Sequence, residues 1–309
     1  MLLFDRVIQI TVGEAGASGL AVTGLRCTFD ITKTEDSKEN KVNFSIWNLS
    51  AATRALFEKV GNRVVISAGY AAGGLMTLAV GDILAAETDF SPPEIKTDVE
   101  AADGGKALRT ARTSVSYKAG TPAKSIVEEL VGKLDVDMPD IPVDLSGAFA
   151  SGWSHVGRVR DGLDQLARRF GFSWSIQNNA LQITETQQPS QRQAVVLSAE
   201  TGLIGTPTPI DDVRSSDEKS RDEKSTSGGT AKEDNSPTAR LAAALGGQKM
   251  ERPGLLATSL LNPALIPGDP VVIRSRFRGE QTYRIKSVRH RGDTHGTEWY
   301  TEIECAEAS

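Results

Sequence analysis

From residue 270 onward the chain alternates, and that alternation limits most sharply what it can fold into. Val271, Ile273 and Ser275 fall on one side of PVVIRS, with Val272 and Arg274 on the other. Tyr283, Ile285 and Ser287 keep the two-residue period. Trp299, Thr301, Ile303 and Cys305 repeat it against Tyr300, Glu302 and Glu304. Successive side chains of a strand point to opposite faces, so these segments are strands with one dry and one wet side. Asn262-Pro263 and Pro267-Gly268-Asp269-Pro270 punctuate them, and Gly292-Asp293 reads as a turn before the last strand. Residues 255–305 therefore read as a small barrel or sandwich.

The N-terminal hundred residues share this character. Ile8, Ile10 and Val12 oppose Val7, Gln9 and Thr11, and further strands are expected at Leu25–Ile31 and Val42–Trp47. Between them KTEDSKENK reads as a polar hairpin tip, too charged to bury. Ser50 is placed to cap a helix over AATRALFEKV, with Leu56 and Val60 as its apolar stripe and Gly61 as its stop. Strands follow at Arg63–Tyr70, Leu75–Asp82 and Glu94–Ala101. The pattern then changes. Thr121-Pro122 opens a helix striped by Ile126, Val127, Leu130 and Val131. Asp135–Val143 is irregular. Leu163, Leu166, Ala167 and Phe170 mark a second helix closed by Gly171, and FSWSIQNNALQITE reads as a hairpin turned at Asn178-Asn179. Next come a strand, QAVVLSA, and a turn, GLIGTPTPI. VRSSDEKSRDEKSTSGGTAKEDNS has no apolar anchor and is expected to be disordered or an exposed loop. A three-part division follows: a β domain over 1–101, an α+β domain over 102–185, and a second β domain over 186–309 interrupted by an insertion at 211–248.

Composition narrows the function. The 309 residues carry 35 basic and 40 acidic side chains, a formal charge of -5, which gives no electrostatic case for specific nucleic-acid binding. No apolar run is long enough for a membrane anchor, and the N-terminus lacks a basic leader. Cys27 and Cys305 read as free buried thiols, with a disulfide as the alternative.

Candidate chemistry is thin. His290, Asp293 and His295 are the one cluster that could hold a divalent metal, but their spacing matches no strong signature and reads as a surface loop. His155 has no serine partner in a nucleophile-elbow pattern. Asp135 with Asp137, and Asp211 with Asp212, are carboxylate pairs in irregular polar stretches. Asp103-Gly104-Gly105-Lys106 lacks phosphate-loop spacing, and Gly73-Gly74 suits a hairpin. Arg109, Arg112 and Lys118 are offset by nearby acidic segments. The expectation is no catalytic residue, no cofactor and no metal.

Four stretches carry a family likeness: VNFSIWNLSAATRALFEKVGNRVVISAGY at 42–70, LMTLAVGDI at 75–83, VRDGLDQLARRFGFSWSIQNNALQI at 159–183, and TSLLNPALIPGDPVVIRS with YRIKSVRHRGDTHGTEWYTEIEC over 258–305. In this order the chain resembles the baseplate hub proteins of tailed bacteriophages, of the late control protein D type. The resemblance implies a mainly β fold in which two tail-tube-like β-barrel domains flank the small α+β domain. It implies a structural homotrimer whose six tube-like units face a six-fold tail tube or its distal initiator protein. The other face would meet a three-fold central spike or tip protein, with other baseplate proteins around it. Its place would be the virion tail baseplate, assembled in the host cytoplasm. The insertion at 211–248 departs from the simplest family pattern, and the same fold also builds injection devices that are not phages. Two other functions compete. One is a tail-associated peptidoglycan hydrolase; the other is a surface-binding module using Trp153, Trp174 and Trp299 as platforms, although their strand positions favour core packing.

Overall fold

The computed structural model describes residues 5–134, 136–137, 145, 147–210, 254–276 and 279–307. The first eight elements are β1 (Arg6–Gly13), β2 (Leu20–Val22), β3 (Cys27–Thr34), β4 (Asn40–Trp47), α1 (Ala51–Glu58), β5 (Arg63–Tyr70), β6 (Gly74–Asp89) and β7 (Lys96–Asp103). Then come α2 (Gly105–Thr110), β8 (Arg112–Tyr117), α3 (Ala123–Val131), β9 (Trp153–Arg158), α4 (Val159–Phe170), β10 (Phe172–Gln177) and β11 (Ala180–Glu185). The remaining strands are β12 (Val195–Leu197), β13 (Leu203–Ile210), β14 (Gly254–Leu260), β15 (Pro270–Ser275), β16 (Gly279–Asp293) and β17 (Trp299–Glu307). The protein is mainly β with a minor helical part.

Among the described residues thirteen strands form one sheet, in the order β13-β14-β17-β16-β3-β4-β7-β6-β5-β1-β2, with β15 pairing β16 and β12. At its centre β16 runs antiparallel to β3, from Ser287 opposite Thr34 to Asp293 opposite Thr28. This seam joins residues more than 250 positions apart. The hairpins β8–β9 and β10–β11 are separate two-stranded sheets.

The described apolar residues gather in three clusters. The first holds Phe29, Ile31, Phe44, Phe57, Ile66, Leu78 and Val99, and takes in Leu261 and Trp299 from the C-terminal part. The second holds Ile126, Leu130, Leu163, Leu166, Trp174 and Ile183. The third holds Leu197, Leu255, Val271, Ile273, Ile285 and Ile303. Fully burying each Leu or Ile is worth about 1.5–3 kcal/mol.

Local chemistry explains many boundaries. Ser50 caps α1, its hydroxyl accepting the Thr53 amide at 3.2 Å. Gly171 closes α4 in the left-handed region at φ 73°. Asn178 and Asn179 turn β10 into β11 with φ of 56° and 66°, the paired positive values of a two-residue hairpin loop.

Several expectations are corrected. KTEDSKENK is not an exposed tip: Lys33 and Asn40 lie inside β3 and β4 and are almost fully buried. α1 packs through the buried Phe57 and the half-buried Leu56, as the stripe implied for Leu56, while Val60 lies past the helix end and is exposed, because the helix stops at Glu58. GLIGTPTPI is strand β13, pairing β14 across an irregular register between Ile204 and Thr208. Gly292-Asp293 ends β16 instead of forming a turn. Phe29 Cζ would lie only 2.2 Å from a Cβ at Gly292, so the glycine admits the close packing of Phe29 and Trp299. Between Ile285 and Ser287 the register of β16 slips, and the inward set changes from Tyr283 and Ile285 to Val288 and His290. Uninterrupted strand period would put Ser287 on the face of Ile285, and the slip moves it off that face. The insertion at 211–248 and most of Asp135–Val143 lie outside the described residues.

Candidate functional site

The features that organise the molecule are polar joints in its interior. On β3 the inward face runs Phe29, Ile31, Lys33, and on β4 it runs Asn40, Val42, Phe44, so strand period carries two polar side chains inward beyond the apolar ones. The β10–β11 hairpin meets them there. Lys33 Nζ donates to Asn178 Oδ1 at 2.7 Å. Asn40 Nδ2 donates to the Ile176 carbonyl at 2.7 Å and to Gln177 Oε1 at 3.1 Å, while its Oδ1 accepts the Thr34 amide at 2.9 Å. Gln177 returns a bond to the Thr34 carbonyl at 2.7 Å. The Asp103 carboxylate, at the end of β7, accepts the amides of Asn178 and Asn179 at 2.5 and 2.8 Å.

Burial sets the electrostatics of this joint. It pushes the Asp103 carboxyl up to about 6, against the pull of Lys33 and the two amides. It pushes the Lys33 ammonium down to about 8, against the pull of Asp103. Both remain mainly charged at pH 7, as a buried opposite-charge pair.

The β16–β3 seam continues the joint. Glu35, just past β3, takes Arg284 Nη2 at 2.6 Å and also pairs with Lys286. On the solvent side Arg289 makes a two-pronged pair with Asp30, at 2.9 and 2.5 Å. A second joint lies where the chain enters β15. Asp269 accepts from Ser190 Oγ at 2.5 Å, Gln182 Nε2 at 3.2 Å and Arg192 Nη1 at 3.3 Å. The α+β hairpin thus contacts the sheet on both sides of the seam.

The residues singled out from sequence are dispersed. His290 sits in the interior of β16, bonded through Nδ1 to Thr301 Oγ1 at 2.9 Å; burial first, and then the Lys33 charge, hold its pKa well below the ordinary histidine range. It is a core histidine and not part of a surface loop. Asp293 instead accepts the His295 amide at 2.8 Å and lies 3.7 Å from Arg26. Among the described residues no group of three His, Cys, Asp or Glu is placed to hold a metal. His155 bonds the Arg158 carbonyl at 2.8 Å and stacks on Trp153. Asp137 pairs through its backbone with Ala180, whereas Asp135, Asp211 and Asp212 lie outside the described residues. Gly104 packs on Ile176, and Gly74 turns β5 into β6. Arg109 lies 3.7 Å from Glu39. Trp174 and Trp299 are 3% and 2% exposed, which removes them as ligand platforms. Trp153 stacks between Tyr117, Phe149 and His155. Cys27 and Cys305 are free and buried, and burial raises both thiols. Among the described residues no helix is long and apolar enough to cross a membrane.

Sequence reasoning missed the joint residues Lys33, Asn40 and Asp103. Lys33 shares parity with Phe29 and Ile31, and Asn40 with Val42 and Phe44; that signal was present but overruled by the charge of the surrounding run.

A family model described as baseplate hub gp41 matches residues 13–211. The fold is shared with the 43 kDa tail protein of prophage MuSo2 from Shewanella oneidensis, at 12% identity and a TM-score of 0.62 over 97% of this chain and 98% of that one. It is shared with a tail protein from Neisseria meningitidis MC58, at 11% identity and a TM-score of 0.63 over 98% and 97%. The E. coli c3393 protein, a component of the type VI secretion system, matches at 12% identity and a TM-score of 0.59 over 96% and 77%. No curated protein sequence matches the chain.

Proposed function

Since the chain belongs to the baseplate hub gp41 family, and is thereby a structural tail component rather than an enzyme, we propose that it acts as a homotrimeric connector between a six-fold tail tube and a three-fold spike or tip. The observation that carries this reading is the β16–β3 seam, which sets two β units side by side in one continuous sheet. On this reading residues 1–101 and 186–309 are two tube-like barrel domains and 102–185 is the α+β domain that braces them. The three apolar clusters support that division, with Leu261 and Trp299 reaching across into the first. Three copies then offer six similar units to a six-fold tube without needing six chains. The tube or its distal initiator, the spike and neighbouring baseplate proteins are the partners, and assembly takes place in the host cytoplasm.

The test is copy number in purified tails. Quantitative mass spectrometry should give three hub chains per tail beside six subunits per tube ring; six hub chains, or a location on capsid or side fibres, would overturn the connector. The fold shared with a type VI secretion component supports a second setting, a phage-derived injection device. Purified particles that contain a tube and tip but no capsid or packaged genome would select it.

A further inference from the structure

The strand order of the sheet repeats within the chain. β6 slips its register between Ile83 and Ala85; beyond the slip it pairs β7, β7 pairs β4, and β4 pairs β3. β16 slips between Ile285 and Ser287; beyond the slip it pairs β17, β17 pairs β14, and β14 pairs β13. Before the slips, β6 pairs β5 through Val64-Val65-Ile66, and β16 pairs β15 through Val271-Val272-Ile273. Beyond the slips of β6 and β16 the facing residues correspond, as far as the irregularity of β13 between Ile204 and Thr208. Ala85 faces Glu100, which faces Asn43, which faces Asp30. Ser287 faces Glu304, which faces Leu256, which faces Thr208. In this repeat β13 stands where β3 stands, and the far half of β6 stands where the far half of β16 stands.

Two edge contacts are therefore equivalent, and the described residues make one of them within the chain. β3 meets β16 in the seam. Among the described strands the other pair stays open: β13 ends the sheet, and Ala85–Asp89 of β6 pairs only with β7. We propose that β13 of one copy docks antiparallel along Ala85–Asp89 of the next copy, in the register of the internal seam. This rests on the three-copy reading above and identifies its interface. Asp30 opposite Arg291 becomes Thr208 opposite Asp89 of the neighbouring copy, and Thr32 opposite Arg289 becomes Ile210 opposite Glu87. A second copy is the partner because each chain carries both open edges at different places, the condition for head-to-tail closure into a ring. Glu87, Asp89 and Thr208 are exposed in the single chain, and Ile204 on β13 and Phe90 just past β6 remain 44% and 57% exposed. Pro207 and Pro209 supply no amide donors, so this contact has fewer backbone bonds to offer than the internal seam. It holds when all three contacts close together, and the prolines keep the edge from pairing indiscriminately.

The test is a cysteine pair in the full chain, Asp89→Cys with Thr208→Cys, in tails purified from the producing host and oxidised before denaturation. Opposed residues in an antiparallel pair lie about 4.5–5.5 Å apart at Cα, inside the roughly 4.4–6.8 Å a disulfide spans. The double variant should run as covalent dimer and trimer on a non-reducing gel, and each single variant as monomer. Asp30→Cys with Arg291→Cys, the equivalent pair in the internal seam, should titrate only the two native thiols, Cys27 and Cys305, after denaturation, yet keep the monomer mass. If the double variant does not assemble, a photo-cross-linking side chain at Thr208 alone replaces it; its adduct should map to residues 85–91 of another copy. Monomer only in the double variant, or an adduct on β2 or on another protein, overturns the proposed interface. With three hub chains per tail, such a result leaves the connector standing; a different copy number overturns the connector itself.

Discussion

Replacing Lys33 by methionine should weaken the fold most at alkaline pH and hardly at all near pH 5. Lys33 is 1% exposed, and its ammonium bonds Asn178 and offsets the Asp103 carboxylate. Removing one partner of a contacting buried ion pair costs about 3–5 kcal/mol; Lys33 acts on Asp103 through its charge and not through a direct bond, which places this loss at the lower end of that range. Asp103 already has a carboxyl raised from 3.8 to about 6, roughly 3 kcal/mol at about 1.4 kcal/mol per unit. A carboxyl raised in the folded state contributes stability that is fully present below its unfolded value and lost as pH rises through the folded one. In the wild type that window runs from 3.8 to about 6. Without Lys33 its upper limit moves higher, since Lys33 was holding the carboxyl down. At pH 8 the variant should therefore be about 3 kcal/mol less stable. At pH 5 Asp103 is protonated in the variant and methionine avoids the burial of an ammonium, so the deficit should close. Lys33 itself, lowered to about 8 from 10.5, makes the wild type gain stability as pH rises through that range, and the variant should lack this gain. Urea midpoints from pH 5 to pH 10 in single-unit steps, with amide exchange at Asn178 and Asn179, measure both effects: the Asp103 effect below pH 8 and the Lys33 gain above it. A deficit that does not change with pH, or one under about 1 kcal/mol at pH 8, would refute the account of this joint.

Leu166→Asp should cost several kcal/mol, because Leu166 is fully buried in the second core and an unpaired carboxylate there has no partner, whereas Arg168→Asp on the exposed side of α4 should shift the urea midpoint little. Gly292→Val should lower thermal stability by about 1–3 kcal/mol or more, as the new side chain must displace Phe29 and Trp299; an unchanged melting curve would show that β16 yields there. Arg289→Ala should change stability by less than about 1 kcal/mol, since the pair with Asp30 is about half exposed on both sides.

The legible parts of the sequence were those where one local rule acts alone. Alternation located β15, β16 and β17, the 3.6-residue stripe located α3 and α4, and Asn178-Asn179 announced its hairpin. β13 was hidden because Gly205, Pro207 and Pro209 are turn formers that an edge strand tolerates. β8 and β9 went unread because their short runs mix serine, arginine and glycine with few apolar residues. Lys33 and Asn40 were hidden by their charged neighbours, although strand parity placed both inward. Nothing local encodes the β16–β3 seam, whose partners lie more than 250 residues apart, and the equivalence of β3 with β13 is a matter of pairing order, not of residue type.

That seam also imposes a schedule on synthesis. When β3 leaves the ribosome, its pairing partner is still roughly 250 residues from being made, a delay on the order of 10–50 s at about 5–20 residues per second. For that interval the outer edge of β3 is open to any other nascent strand. Asp30 and Lys33 place charges of both signs along it, which discourages an apolar strand from settling there. The chain therefore completes its central sheet last, and a ribosome stalled before β16 leaves the β3 edge uncapped for the host's chaperones to cover.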